Sequence, residues 1–159
     1  MFFKKKRSAS DIGIDLVKFI YPEESLVDGL TELTEEKHRK LSDEIFCLHI
    51  FTILFVVKLT LTDTNTTMAV IGSFFETIKK SRDFDANEVL GGSKNRYAVY
   101  EQAFYTPHHN GPLWTIGKQF SEFCDRGMDL DVIMMGSIIF VAKYESASKF
   151  IKSYKISCA

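Results

Sequence analysis

Ile45 to Val57 reads IFCLHIFTILFVV, a stretch with no formal charge, bounded by Asp43 and Glu44 on one side and Lys58 on the other. Around it Leu41, Ile45, Leu48, Thr52, Phe55 and Leu59 recur at alternating steps of four and three, the seam that a helix turns toward its neighbours. Phe46, Ile50, Ile53 and Val57 make the other sides apolar too. A helix that is apolar all round has to be enclosed by others. The stretch therefore predicts an all-α fold, a single-domain bundle of five to seven helices around a central apolar helix. It is shorter than the roughly twenty apolar residues of a membrane span, and His49 and Thr52 lower its apolarity further. No stable membrane association is expected.

Working outward, Ser10 is placed to cap a first helix over Asp11 to Ile20, which Pro22 ends. Pro22 suits the first turn of a second helix carrying Leu26, Leu30 and Leu33, and Thr34 followed by Glu35 and Glu36 marks a new start for the central helix. Residues 56–62 are ambiguous, because Val57, Leu59 and Leu61 alternate with Lys58, Thr60 and Thr62 as in a strand. No second strand of similar quality exists to pair with it, which favours helix. Thr66 or Thr67 can cap the next helix, with Met68, Ile71, Phe75 and Ile78 on one side. Asp85 and Glu88 read as a capping box for a brief turn closed by Gly91 and Gly92, and Ser93 as the start of a helix presenting Tyr97, Tyr100 and Phe104. Asn110, Gly111 and Pro112 open a helix with Leu113, Gly117, Phe120 and Cys124 on one face, which Gly127 closes. The last helix, from about Asp129, carries Gly136, Ser137, Ala142, Ala147 and Ser148, small residues expected to receive the bulky central helix.

A chain of 159 residues can bury a core without a staple. Fourteen Phe against three Pro point to an aromatic core with few forced breaks. The net charge of -1 gives no field to attract phosphate backbones, so no nucleic-acid partner is expected. Cys47, Cys124 and Cys158 form an odd set without paired spacing, which fits a reducing cytoplasm. The basic N-terminus lacks the apolar run of a secretory signal and reads, over residues 1–9, as a flexible tail on one domain spanning 1–159.

The chemistry-bearing residues are scattered. His49 is the one side chain within the central stretch that can take a charge, and a partly buried imidazole can ligate a haem or metal or act as a base. Equally, it can hydrogen-bond a tyrosine or a carbonyl at the edge of the core. His108 and His109 lie with Trp114 in an uncharged stretch that suits either a small-molecule pocket or an exposed turn. Glu35 and His38 have the E-x-x-H spacing of a carboxylate-bundle metal site, but a second copy is missing and the run EEKHRK has the i,i+4 pairing of a solvated face. Gly91, Gly92, Ser93 and Lys94 miss the spacing of a phosphate loop. No cofactor or metal is implied. These features favour a non-enzymatic helical protein acting through protein contacts or self-association, with an apolar helix face left on the surface. The alternatives are a small hydrophobic ligand or haem near His49 or Trp114, and, third, a hydrolytic or acid/base enzyme pairing a histidine with a carboxylate such as Glu101.

Overall fold

A computed structural model describes residues 4–21, 34–81 and 86–157. Its elements in order are strand β1 (Lys5–Ser8), helix α1 (Ala9–Leu16) running into a short 3-10 turn (Val17–Phe19), α2 (Glu35–Thr60), α3 (Thr64–Lys80), α4 (Ala86–Tyr105), α5 (Gly111–Phe123), α6 (Leu130–Lys152) and strand β2 (Tyr154–Ser157). The all-α bundle expected from the sequence forms, with six α-helices among the described residues. The expected helix around Leu26, Leu30 and Leu33 lies outside them.

The apolar stretch is the middle of α2, and Leu48, Ile50, Phe51, Ile53, Phe55, Val56 and Val57 are all essentially inaccessible. Helix continues through residues 56–60, so the alternating pattern there is the end of a helix. Two apolar layers cover α2. One collects α1, the inner face of α3 and the C-terminal half of α6, and contains Ile12, Leu16, Ile53, Val57, Phe74 and Ile151. The other collects α4, α5 and the N-terminal half of α6, and contains Leu48, Phe51, Phe55, Tyr100, Phe120 and Phe140. Within it Phe51 stacks against Phe55 and Tyr100 with ring centroids 5.3 and 5.2 Å away.

Local chemistry shifts several boundaries. Ser8, not Ser10, caps α1, accepting from the Asp11 N–H at 3.1 Å. Asp63, not Thr66 or Thr67, caps α3, accepting from the Thr66 N–H at 2.7 Å. A carboxylate at that position also meets the positive end of the helix dipole, which the threonine hydroxyls lack. α4 passes through Gly91 and Gly92 without a break. Each glycine costs the helix up to about 1 kcal/mol relative to alanine, and packing of the aromatic face of α4 on α2 outweighs that cost. Between α5 and α6 the chain turns through Asp125 (φ 56°) and Gly127 (φ 53°), and Asp129 caps α6 by accepting from Asp131 and Val132.

The basic N-terminal segment is not a free tail from Lys5 to Ser8. It pairs in parallel with β2, Lys5 opposite Tyr154 and Ser8 opposite Ser157. Arg7 forms an ion pair with Asp15 and lies over the Tyr154 ring at 5.3 Å. Lys5 and Lys6 stay in water while the backbone bonds of the short ribbon are satisfied, a combination that composition alone does not reveal.

The small residues of α6 divide their work. Ala147 sits in the layer shared with α2, but Gly136 and Ser137 serve α5. A Cβ on Gly136 would stand 2.7 Å from the Phe120 ring, and one on Gly117 would collide with the Ile133 carbonyl and the Ser137 hydroxyl. The Ser137 hydroxyl donates to the carbonyls of Leu113 and Ile133, both at 2.9 Å. Glycines on both helices thus allow α5 and α6 to touch backbone to side chain.

Candidate functional site

His49 is fully buried in α2. Its Nδ1 lies 3.0 Å from the Ile20 carbonyl, which can only accept, so Nδ1 carries the proton and Nε2 presents a lone pair. Nε2 has no hydrogen-bond partner among the described residues. Burial pushes the imidazole pKa down to about 4, with the charge of Lys143 adding to the effect and the Ile20 bond opposing it. The side chain is therefore neutral at pH 7 and encased by apolar neighbours.

His108 and His109 stand exposed in the turn between α4 and α5, their rings stacked 4.2 Å apart. His108 Nδ1 accepts from the Asn110 N–H at 3.1 Å, closing the turn locally. Trp114 is half-buried, its ring 6.3 Å from that of His108. These three residues come together; His49 is held elsewhere, against Ile20. Glu101 is engaged by Tyr97, whose hydroxyl donates to it at 3.2 Å. Among the described residues no group of three or more His, Cys, Asp or Glu is arranged to hold a metal.

A buried polar cluster escaped the sequence reading. Glu44, just 4% exposed, accepts from the Tyr100 hydroxyl at 2.8 Å through Oε1 and from Arg96 Nε at 3.0 Å through Oε2. Arg96 in turn lies over the Phe123 ring at 3.9 Å. Burial raises the Glu44 pKa, while Tyr100 and Arg96 pull it back. Burial likewise pushes the thiols of Cys47 and Cys124 up to about 12, so neither is a ready nucleophile. The signal was present: Glu44 falls on the seam between Leu41 and Leu48, and Arg96 and Tyr100 are four apart on α4. This cluster ties α2 to α4 and α5 and is closed to solvent except along Arg96, so its chemistry is that of a structural clamp.

The surface offers something different. On α6, Leu130, Met134 and Ile138 are 58%, 58% and 59% exposed and follow one another at four-residue steps, forming a single ridge. Ala142 continues the ridge and is also exposed. Leu113 of α5, 42% exposed, adjoins it through the bond from Ser137 to its carbonyl. The ridge has Asp131 near its start and Lys149 near its end, both exposed. No helix among the described residues is long and apolar enough to cross a membrane, so this ridge is not part of a span. No protein family, curated protein or solved structure matches the chain.

Proposed function

We propose that this protein is a non-enzymatic association module that pairs with a second copy of itself through the outer face of α6. The observation that carries the reading is the ridge of Leu130, Met134, Ile138 and Ala142, apolar along a helix whose other faces are already packed. Such ridges on two helices interdigitate when the helices cross, and exposed apolar side chains in a contiguous row mark interfaces more often than singly scattered ones do. The charges at the two ends favour an antiparallel arrangement. With the helices crossing between Ile138 and Ala142, Asp131 of one copy faces Lys149 of the other and Ile138 faces Ala142, large against small. A parallel arrangement would set like charges together. A two-fold interface of this kind uses the same patch twice.

The patch is modest beside the roughly 800 Å² per partner of a standard stable interface. A reversible dimer with a Kd on the order of 10 μM is therefore expected. Sedimentation velocity across that concentration range should show a monomer shifting to dimer, and Ile138→Glu should hold the chain monomeric with its helical circular dichroism unchanged. A wild-type chain that stays monomeric well above that range, or an Ile138→Glu variant that dimerises as before, overturns the reading. The free thiols Cys47 and Cys124 support a reducing compartment such as the cytoplasm as the place where this pairing operates.

A further inference from the structure

The helices covering α2 leave a cleft between α3 and α4, lined by none of the α6 ridge residues. α3 packs chiefly on α1, while α4 packs on α2 and α5, so α3 and α4 splay apart and expose part of α2 between them. The resulting cleft has a volume of about 460 Å³, within the roughly 300–1,000 Å³ range of small-molecule sites. Leu54 of α2, Ile71 and Phe75 of α3 and Tyr97 of α4 supply its apolar surface. Lys58, Lys79 and Lys94, one from each of the three helices, also line it, and among the described residues the lining holds no carboxylate. Two of these cations have local neighbours: Lys58 Nζ lies 4.0 Å from the centroid of the Tyr97 ring, and Lys79 Nζ lies 3.1 Å from Glu76 Oε1, which is outside the lining.

We infer that this cleft binds a single-chain anionic amphiphile, a free long-chain fatty acid, with the alkyl chain against Leu54, Ile71 and Phe75 and the carboxylate held by the lining lysines, Lys58 and Lys94 foremost because Lys79 already meets Glu76. The division of the lining carries the inference. An apolar trough alone would accept any hydrophobe, and three lysines on a fully solvated surface would be ordinary. Lysines from three separate helices lining one apolar trough match a molecule that is apolar along its length and carries a negative charge. Lysine, a compact point charge on a flexible stem, can follow a carboxylate head without fixed geometry. The cleft is open to solvent on one side, so the chain is not fully enclosed and binding is reversible, with a Kd on the order of 10 μM for a ligand of this size. This site is independent of the α6 pairing.

The test is a titration of the full chain with a fluorescent long-chain fatty acid, followed by displacement with unlabelled palmitate, with the alcohol of the same chain length, and with vesicles of anionic phospholipid. Palmitate should displace the probe, and the alcohol should compete about tenfold more weakly, because it lacks the charge that the lysines meet. Lys58→Gln with Lys94→Gln, both surface changes, should weaken palmitate about tenfold and leave the alcohol unchanged. Phe75→Glu should weaken palmitate further. Should that variant fail to fold, the lysine variants decide alone. The proposal is overturned if the probe does not bind, if alcohol and acid compete equally, if the lysine variants bind palmitate as the wild type does, or if vesicles displace the probe while free palmitate does not.

Discussion

The two faces of α6 carry similar side chains and meet opposite environments. Inward, Ile133 is buried where Gly117 and Gly136 let α5 come within contact of the helix, and Phe140 is buried against Phe51 and Phe55 of α2 and Phe104 of α4. Outward, Leu130, Met134 and Ile138 are just as apolar and remain more than half exposed. Apolarity does not distinguish the faces; the neighbours do, α2 and α4 along most of the inner face and α5 where the glycines admit it. Where a helix has a neighbour close enough to need glycine, its face belongs to the fold. Where it has a ridge and no such neighbour, the face is available to another molecule.

Changes on the inner face should break the fold and those on the outer face should not, and this contrast is testable in descending order of effect. Gly117→Ala forces a methyl into the Ile133 carbonyl and should destabilise by about 3 kcal/mol, seen as a fall in Tm of about 10 °C. Gly72→Ala is its control: nothing lies within 4 Å of the added methyl, and helix propensity should raise stability by up to about 1 kcal/mol. If the two changes had equal effects, the close approach of α5 and α6 would not be what holds that face in place.

The interior should also respond to acid through His49. Its folded pKa, about 4, lies below the ordinary histidine value of 6.5, so between those values the unfolded chain binds the extra proton and the folded one does not. Stability should fall as the pH drops from 6.5 to 4.5, by about 2 kcal/mol, above the range where the capping aspartates Asp63 and Asp129, whose pKa values are lowered, begin to lose their charge. Glu44 opposes this trend, because its raised pKa makes protonation of the folded chain favourable as the pH falls. Denaturant unfolding of wild type and His49→Asn at both pH values separates the two. The slope should flatten in the variant, and an unchanged slope would remove His49 as its source. Tyr100→Phe takes one donor from the buried Glu44 carboxylate and should cost about 2 kcal/mol at neutral pH. Outside, Ile138→Glu should change stability by no more than about 0.5 kcal/mol while abolishing association.

Much of this architecture was legible in the sequence. The central helix from Glu35 to Thr60, its enclosure and the bundle class followed from the Ile45 to Val57 stretch, because an uncharged run with helical periodicity admits few other solutions. The strand pair escaped, since Lys5 to Ser8 has no apolar pattern and pairs with residues 154–157, far away in sequence. The break expected at Gly91 and Gly92 is missing, since tertiary packing overrides local propensity. For the candidate sites, the sequence marks His49 as the one imidazole in the central stretch, but its partner, the Ile20 carbonyl, is a backbone atom that no motif marks. Glu44 stands in the sequence at the boundary of the apolar stretch but lies inside the fold, where Tyr100 and Arg96 of α4 meet it. The lysine-lined cleft depends on the splay of α3 and α4, a property of helix packing that single-helix patterns do not contain. The α6 ridge was foreseen only as a kind of surface, since periodicity identifies faces without saying which face is covered.

Antiparallel pairing of two α6 ridges is tested most directly by charge reversal at its ends. Asp131→Lys, Lys149→Asp and the double variant are each compared with wild type by sedimentation equilibrium in low salt, with circular dichroism confirming that the helix ends, whose dipole these changes also oppose, stay folded. Each single change should weaken dimerisation about fivefold, and the double variant, which restores opposite charges across the two-fold axis, should recover dimerisation close to wild type. Single variants that dimerise as wild type does, or a double variant weaker than either single one, would contradict the arrangement.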